Sequence, residues 1–231
     1  MEPLGLHVAE LWRYPVKSMA GERLDDAWLG VDGIPGDRLL YVVDGRGEIL
    51  SARTKPRLLG HRATLGEDGD VLVDGLRWDS PDVADAVRAA AGPDARLVRA
   101  SGPERFDVLP LLVATDGAID AFGHDLRRLR PNVVVAGVDG LAERRWEGRL
   151  LAVGDAVIAL ASLRGRCIMT TFDPDTLVQD VDVLRGIRAR FAGTLALNAW
   201  AGREGRVAVG DAAALLDETI ELALPALGRF A

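Results

Sequence analysis

Short apolar runs broken by Gly/Asp turns fill the chain up to about Val73, and runs of that kind read as strands. Val8-Ala9-Glu10-Leu11-Trp12-Arg13-Tyr14 predicts one strand, and Arg38-Leu39-Leu40-Tyr41-Val42-Val43 a buried one. Asp44-Gly45-Arg46-Gly47 is a hairpin signal, with Glu48 to Arg53 as the returning arm. Glu67-Asp68-Gly69-Asp70 marks another turn before Val71-Leu72-Val73. Strands this closely spaced predict a small barrel or curled sheet.

The pattern then turns helical. Ser80 is placed to cap a helix with Pro81 in its first position, and Gly92-Pro93 ends it after Ala91. A second half begins near Arg99. Thr115 is a candidate cap for a helix to about Leu129, with Ile119, Phe122 and Leu126 on one face. After Arg130-Pro131 comes a buried strand, Asn132 to Ala136. Two words echo each other, Gly148 to Asp155 and Gly205 to Asp211; each is a strand entering a Gly-Asp turn, as at neighbouring corners of a barrel. Val183 to Phe191 predicts a short helix, and Ala223 to Leu227 a peripheral tail.

Composition adds limits. With 231 residues and 48% hydrophobic content, the chain can build one large domain or two small ones. A net charge of −7 argues against a generally nucleic-acid-binding surface. Neither a signal-peptide pattern nor an apolar run of membrane-spanning length is visible, so the expected location is cytoplasmic, with no membrane and no nucleic acid among the partners. Basic residues are almost all arginine; Lys17 and Lys55 are the only lysines. His7, His61 and His124 lack metal-site spacing.

Cys167 is the only cysteine. A lone thiol cannot form a disulfide within its chain, which leaves packing, covalent chemistry or soft-metal ligation. Arg164 and Arg166 put positive charge beside it, and the thiolate is the form that attacks electrophiles and binds metals. An inert buried cysteine is the commoner case. The surrounding words argue otherwise: Arg166-Cys167-Ile168-Met169-Thr170-Thr171-Phe172-Asp173-Pro174-Asp175-Thr176 follows Tyr14-Pro15-Val16-Lys17-Ser18, Gly36-Asp37-Arg38, Ala52-Arg53-Thr54-Lys55-Pro56-Arg57-Leu58, Leu129-Arg130-Pro131-Asn132 and Glu143-Arg144-Arg145-Trp146.

In that order these words resemble the MOSC superfamily, in the branch with an N-terminal β-barrel domain that includes the mitochondrial amidoxime-reducing component and its bacterial relatives. The resemblance implies a mainly β fold with some α (α+β), in which a MOSC β-barrel domain (99–226) packs on an N-terminal β-barrel-like domain (3–98). It implies a molybdenum–molybdopterin cofactor (Moco), with Cys167 as the metal ligand and catalytic centre. Lys17, Ser18, Arg38, Asp107, Arg130, Asn132, Arg166 and Asn198 match the family's cofactor-binding positions. Arginine's planar fork suits the phosphate of such a cofactor, and a soft thiolate suits its metal. The implied reaction is reduction of small N-hydroxylated compounds, amidoximes and hydroxylamines. Electrons would come from an external ferredoxin-, flavoprotein- or cytochrome-type donor, since one cysteine cannot hold a four-cysteine iron–sulfur cluster. Two other readings stay open: a sulfur carrier with a Cys167 persulfide, and a cofactor-binding module without turnover. Departures from the family pattern fall at Val108 and Leu109, where relatives have hydroxyl residues, at Gly165 in place of Ser, and at Leu177 in place of Gly, which is expected to reshape its loop.

Overall fold

A computed structural model describes residues 5–219. The tail expected at Ala223 to Leu227 lies outside them. In the first third of the chain the strands are β1 (His7–Arg13), β2 (Glu22–Leu24), β3 (Asp26–Leu29), β4 (Leu40–Val43), β5 (Ile49–Leu50), β6 (Ala63–Leu65), β7 (Val71–Val73) and β8 (Leu76–Arg77). Helix α1 (Pro81–Ala91), β9 (Arg96–Arg99), β10 (Leu111–Thr115), α2 (Asp116–Phe122) and β11 (Val133–Ala136) follow. Next come β12 (Arg149–Val153), β13 (Ala156–Gly165), α3 (Val181–Phe191), β14 (Thr194–Arg203), β15 (Gly205–Ala208) and β16 (Ala213–Thr219).

The larger lobe is one sheet in the order β16-β12-β13-β14-β10-β11-β1-β2, with β10 and β11 parallel. It closes on itself. His7 bridges Ala212, and Ala213 N donates to Leu6 O at 2.7 Å, which joins β1 to the entry of β16. Inward-facing Val8, Leu11, Val113, Val133, Val135, Leu151, Ile158, Leu160 and Leu197 fill the barrel as one cluster. The two echoed words do meet at a corner: Asp155 N donates to Arg206 O at 2.9 Å. Trp146 is buried in the barrel core, and fully buried Glu143 accepts from Thr115 Oγ1 at 3.4 Å, so that family word is structural.

The smaller lobe holds the sheets β5-β4-β9 and β6-β7-β8 against α1, around Met19, Leu40, Val42, Leu58, Val71, Val83 and Val87. We propose the division near 98/99 as the lobe boundary in chain order, because β9 is the smaller lobe's last strand; β1 to β3, however, lie with the larger lobe. Helix α1 forms as the sequence predicts, with Ser80 Oγ accepting from Val83 N at 3.3 Å. No helix among the described residues is long and apolar enough to cross a membrane.

Three expectations need correction. The helix after Thr115 stops at Phe122, because Gly123 takes a left-handed φ of +73° and its N–H returns to Ile119 O; Leu126 lies in a separate 3-10 turn. Strand β4 begins at Leu40, since Arg38 has φ +52° and cannot extend a strand. The returning arm of the hairpin shrinks to Ile49–Leu50, because Ser51 O accepts from Thr54 N and Lys55 N and turns the chain there.

Candidate functional site

The chain crosses between lobes just after β1, and that crossing builds one rim of a cleft. Arg38 N donates to Tyr14 O (2.7 Å), Lys17 N to Leu40 O (2.8 Å), and the buried Asp37 carboxylate accepts from Tyr14 N (2.7 Å). This clasp sets Lys17, Ser18 and Arg38 side by side. Ser18 Oγ accepts from Ala52 N at 3.0 Å, which brings Ser51 and Arg53 next to them. The facing wall comes from the larger lobe: Arg130 and Asn132 run into β11, Arg166 and Cys167 leave β13, and Asn198 stands on β14. Asp107 lies on the connection from β9 to β10. All nine residues singled out in the sequence line one cleft.

Backbone strain gathers at the same place. Seven non-glycine residues among those described have positive φ, and three of them line this cleft: Ser18 (+72°), Arg38 (+52°) and Arg130 (+58°). Left-handed backbone costs an L-residue roughly 1–2 kcal/mol, so the surrounding contacts hold these side chains where an unstrained chain would not.

The cleft is strongly cationic. Lys17, Arg38, Arg53, Arg128, Arg130, Arg164 and Arg166 line it, with Asp107 as its single carboxylate. Asp107 Oδ1 lies 3.1 Å from Lys17 Nζ, and its Oδ2 is 3.0 Å from Arg164 Nη2 and 3.2 Å from Arg53 Nη2. Burial by itself would raise the Asp107 carboxyl, but Lys17, Arg164 and Arg53 outweigh it and hold it far below the usual carboxylate range. Burial lowers the Lys17 ammonium, with Asp107 opposing. Arg38 and Arg128 each lean on a carboxylate behind the wall, Asp37 and Asp173. Arg130 donates from Nη1 to Met19 O (2.6 Å) and stacks 4.3 Å from the centre of the Tyr14 ring. Burial pushes the guanidiniums of Arg130 and Arg166 down to about 10. The Nε atoms of Arg128 and Arg166 are buried and have no hydrogen-bond partner, which leaves these two cleft-lining guanidiniums incompletely satisfied.

Cys167 is half-buried at the head of the 3-10 turn Ile168–Thr171. Thr170 Oγ1 donates to Cys167 O (2.8 Å) and Thr171 Oγ1 to Ile168 O (2.6 Å), so both buried threonines stiffen the thiol-bearing turn. Beyond it Asp173 Oδ1 accepts from Thr176 N (2.9 Å) and Asp175 N (3.1 Å), closing the Asp-Pro-Asp-Thr turn. Leu177 keeps a left-handed backbone at φ +58° where the sequence suggested a reshaped loop.

The two asparagines of the nine commit both ends of their amides to protein partners. Asn132 Oδ1 accepts from Leu112 N (3.2 Å) and its Nδ2 donates to Trp12 O (3.2 Å), so its amide ties β10 to β1 and fixes the approach of Arg130. Asn198 Nδ2 donates to Ser162 Oγ (3.2 Å) while its Oδ1 accepts from Arg164 Nη1 (3.3 Å), which aims Arg164 at Asp107. Val108 and Leu109 bring apolar surface to the cleft, and a Cβ at Gly165 would meet nothing within 4 Å. Sequence reasoning missed Arg53, Arg128 and Arg164 as site residues. Arg164 carried a signal, the two-residue spacing from Arg166 that shares a face in extended chain. Arg53 stood in a quoted word with no chemistry attached, and Arg128 is one arginine in a basic run, with nothing to distinguish it.

Residues 5–117 match the family model of the MOSC N-terminal beta barrel domain, and residues 115–214 that of the MOSC domain. The chain is similar to human mitochondrial amidoxime-reducing component 1, at 27% identity over 73% of this chain and 67% of that protein. Mitochondrial amidoxime reducing component 2 of Macaca fascicularis is 27% identical over 78% and 72% respectively. Among solved structures, the YuaD protein of Bacillus subtilis aligns over 91% of this chain and 96% of its own, at 14% identity and a TM-score of 0.45. With both family domains present, in that order and reaching from residue 5 to residue 214, the chain belongs to the MOSC-domain family.

Proposed function

We propose that this chain is a molybdenum-cofactor-dependent reductase of N-hydroxylated compounds such as amidoximes and hydroxylamines, with Cys167 as the protein ligand to the metal. One observation carries the reading: the chain's single thiol lines the same cleft as six arginines and one lysine. That donor set fits the group. A thiolate suits a soft metal, and guanidiniums suit a phosphate. Arg38, Arg130 and Arg166, with Lys17, would hold the anionic end; Asn132 and Asn198 act through the arginines they position. When bound, the cofactor supplies two-electron reduction of an N–OH bond to N–H with release of water. The protein's own part is to anchor it, to keep the Cys167 turn rigid through Thr170 and Thr171, and to set the charge around the reacting centre. Electrons come from an external donor protein, of ferredoxin, flavoprotein or cytochrome type. The names of the relatives, amidoxime-reducing components, support the reaction class.

The test is metal and pterin analysis of the protein purified from a molybdate-fed host that makes the cofactor, together with Cys167→Ala. Wild type should carry molybdenum and reduce a model amidoxime with a low-potential dye. Cys167→Ala should lose turnover to background and change stability by less than about 1 kcal/mol, because Cys167 belongs to none of the core clusters. Full turnover in Cys167→Ala refutes ligation. Metal-free wild type bearing sulfane sulfur on Cys167 refutes the reductase in favour of a sulfur carrier.

A further inference from the structure

Arg53 differs from its neighbours around Asp107. Its side chain is 45% exposed, against 12% for Lys17 and 16% for Arg164. Lys17 also donates to Glu104 O, and Arg164 to Asn198, so both are held from behind. Arg53 comes from the smaller lobe, reaches across the cleft to Asp107, and lines the same cleft as Cys167. One carboxylate serves three cations here, which leaves positive charge unneutralised. A guanidinium has five N–H donors in a fixed fork, and the contact with Asp107 is made through Nη2 alone while nearly half of the Arg53 side chain stays exposed.

We propose that Arg53 is a substrate-binding, specificity-determining residue that holds an anionic oxygen beside Cys167. The site then favours N-oxygenated compounds that carry a negative charge, such as a hydroxamate anion or an N-hydroxy compound bearing a carboxylate, over cationic ones. The choice of N-oxygenated substrates rests on the function proposed above; the gathering of anions at Cys167 does not. Charge-assisted bonds of this kind shift binding by about tenfold or more.

The single cysteine allows a clean test on the full chain purified from a host that does not make the cofactor. Alkylation rates of Cys167 are measured with iodoacetate, an anion, and iodoacetamide, its neutral counterpart. Both reagents need the same thiolate and the same access, so their ratio isolates the charge effect. In Arg53→Gln the iodoacetate-to-iodoacetamide ratio should fall about tenfold, Arg53→Lys should restore most of it, and added salt should lower it in wild type. An unchanged ratio in Arg53→Gln overturns the proposal whatever the metal content. With loaded enzyme, Arg53→Gln should raise KM for a carboxylate-bearing benzamidoxime about tenfold more than for benzamidoxime; equal changes overturn the selectivity. A shifted alkylation ratio in a protein that never takes up molybdenum would sink the reductase reading and leave the role of Arg53 in gathering anions intact.

Discussion

Arg130 offers the sharpest test of how strain, burial and binding are balanced in the cleft. Its charge is disfavoured by burial, which brings the guanidinium from above 12 to about 10, a penalty of about 3 kcal/mol. Against this stand the charged hydrogen bond to Met19 O, worth roughly 1.5–3 kcal/mol, and the stack on Tyr14, worth about 1 kcal/mol. The two sides nearly cancel, so Arg130→Ala in cofactor-free protein should change unfolding free energy by less than about 1 kcal/mol. The left-handed backbone, φ +58°, remains in that variant. Arg130→Gly removes it and should be more stable than Arg130→Ala by about 1 kcal/mol. In loaded protein the account is different. Losing one charge-assisted donor to the cofactor's phosphate weakens retention about tenfold to a hundredfold in both variants. Arg130→Lys should recover only part of it, since a point charge cannot reproduce the fork. Urea unfolding of the apo-proteins, with pterin and molybdenum counted per chain after a fixed dialysis, reads both effects. Equal stability of the Gly and Ala variants refutes the strain argument. Full pterin content with poor turnover in Arg130→Ala moves the residue from cofactor clamp to substrate contact.

The remaining predictions concern stability. Asp107 is held far below the ordinary carboxylate range by Lys17, Arg164 and Arg53 against the opposing effect of burial, so its attraction to them counts in full above about pH 4 and fades as the pH falls below that, where the unfolded chain takes up the proton first. Asp107→Asn should therefore be less stable than wild type at neutral pH, with a gap in urea midpoints that narrows progressively as the pH falls below about 4; a gap independent of pH contradicts this. Ala192 caps α3 in left-handed backbone (φ +52°) and is exposed, so Ala192→Gly should stabilise by up to about 1 kcal/mol; a lower urea midpoint would show that the position is not strained.

Much of the local structure was legible in the residues themselves, for reasons that act over a few positions. Ser80 followed by Pro81 fixes the start of α1, Thr115 caps α2, and apolar runs such as Val133 to Ala136 become buried strands. In two of the three places where the reading failed, a single backbone angle was responsible. Gly123 ends a helix that the spacing of Ile119, Phe122 and Leu126 would have continued, and Arg38 holds a left-handed turn inside an apolar run. The resemblance named nine site residues, and the fold brings them to one cleft.

By itself the sequence determined the lone thiol, the arginine-rich words and the order of the elements, since these are properties of neighbours along the chain. Only the tertiary structure decided which arginines matter. Arg53 and Asp107 are distant in sequence and meet because the lobes close face to face, whereas Arg128 and Asp173, also distant, meet because the 3-10 turns before β11 and after β13 pack together within the larger lobe. It also assigned Asn132 and Asn198 to holding other groups, because an amide buried between strands must find partners wherever the backbone offers them. Charge in the cleft follows the same logic: no stretch of this acidic chain is a cationic site, yet folding collects seven basic side chains and one carboxylate there and leaves most of the basic ones poorly solvated, and this sets what the cleft can bind.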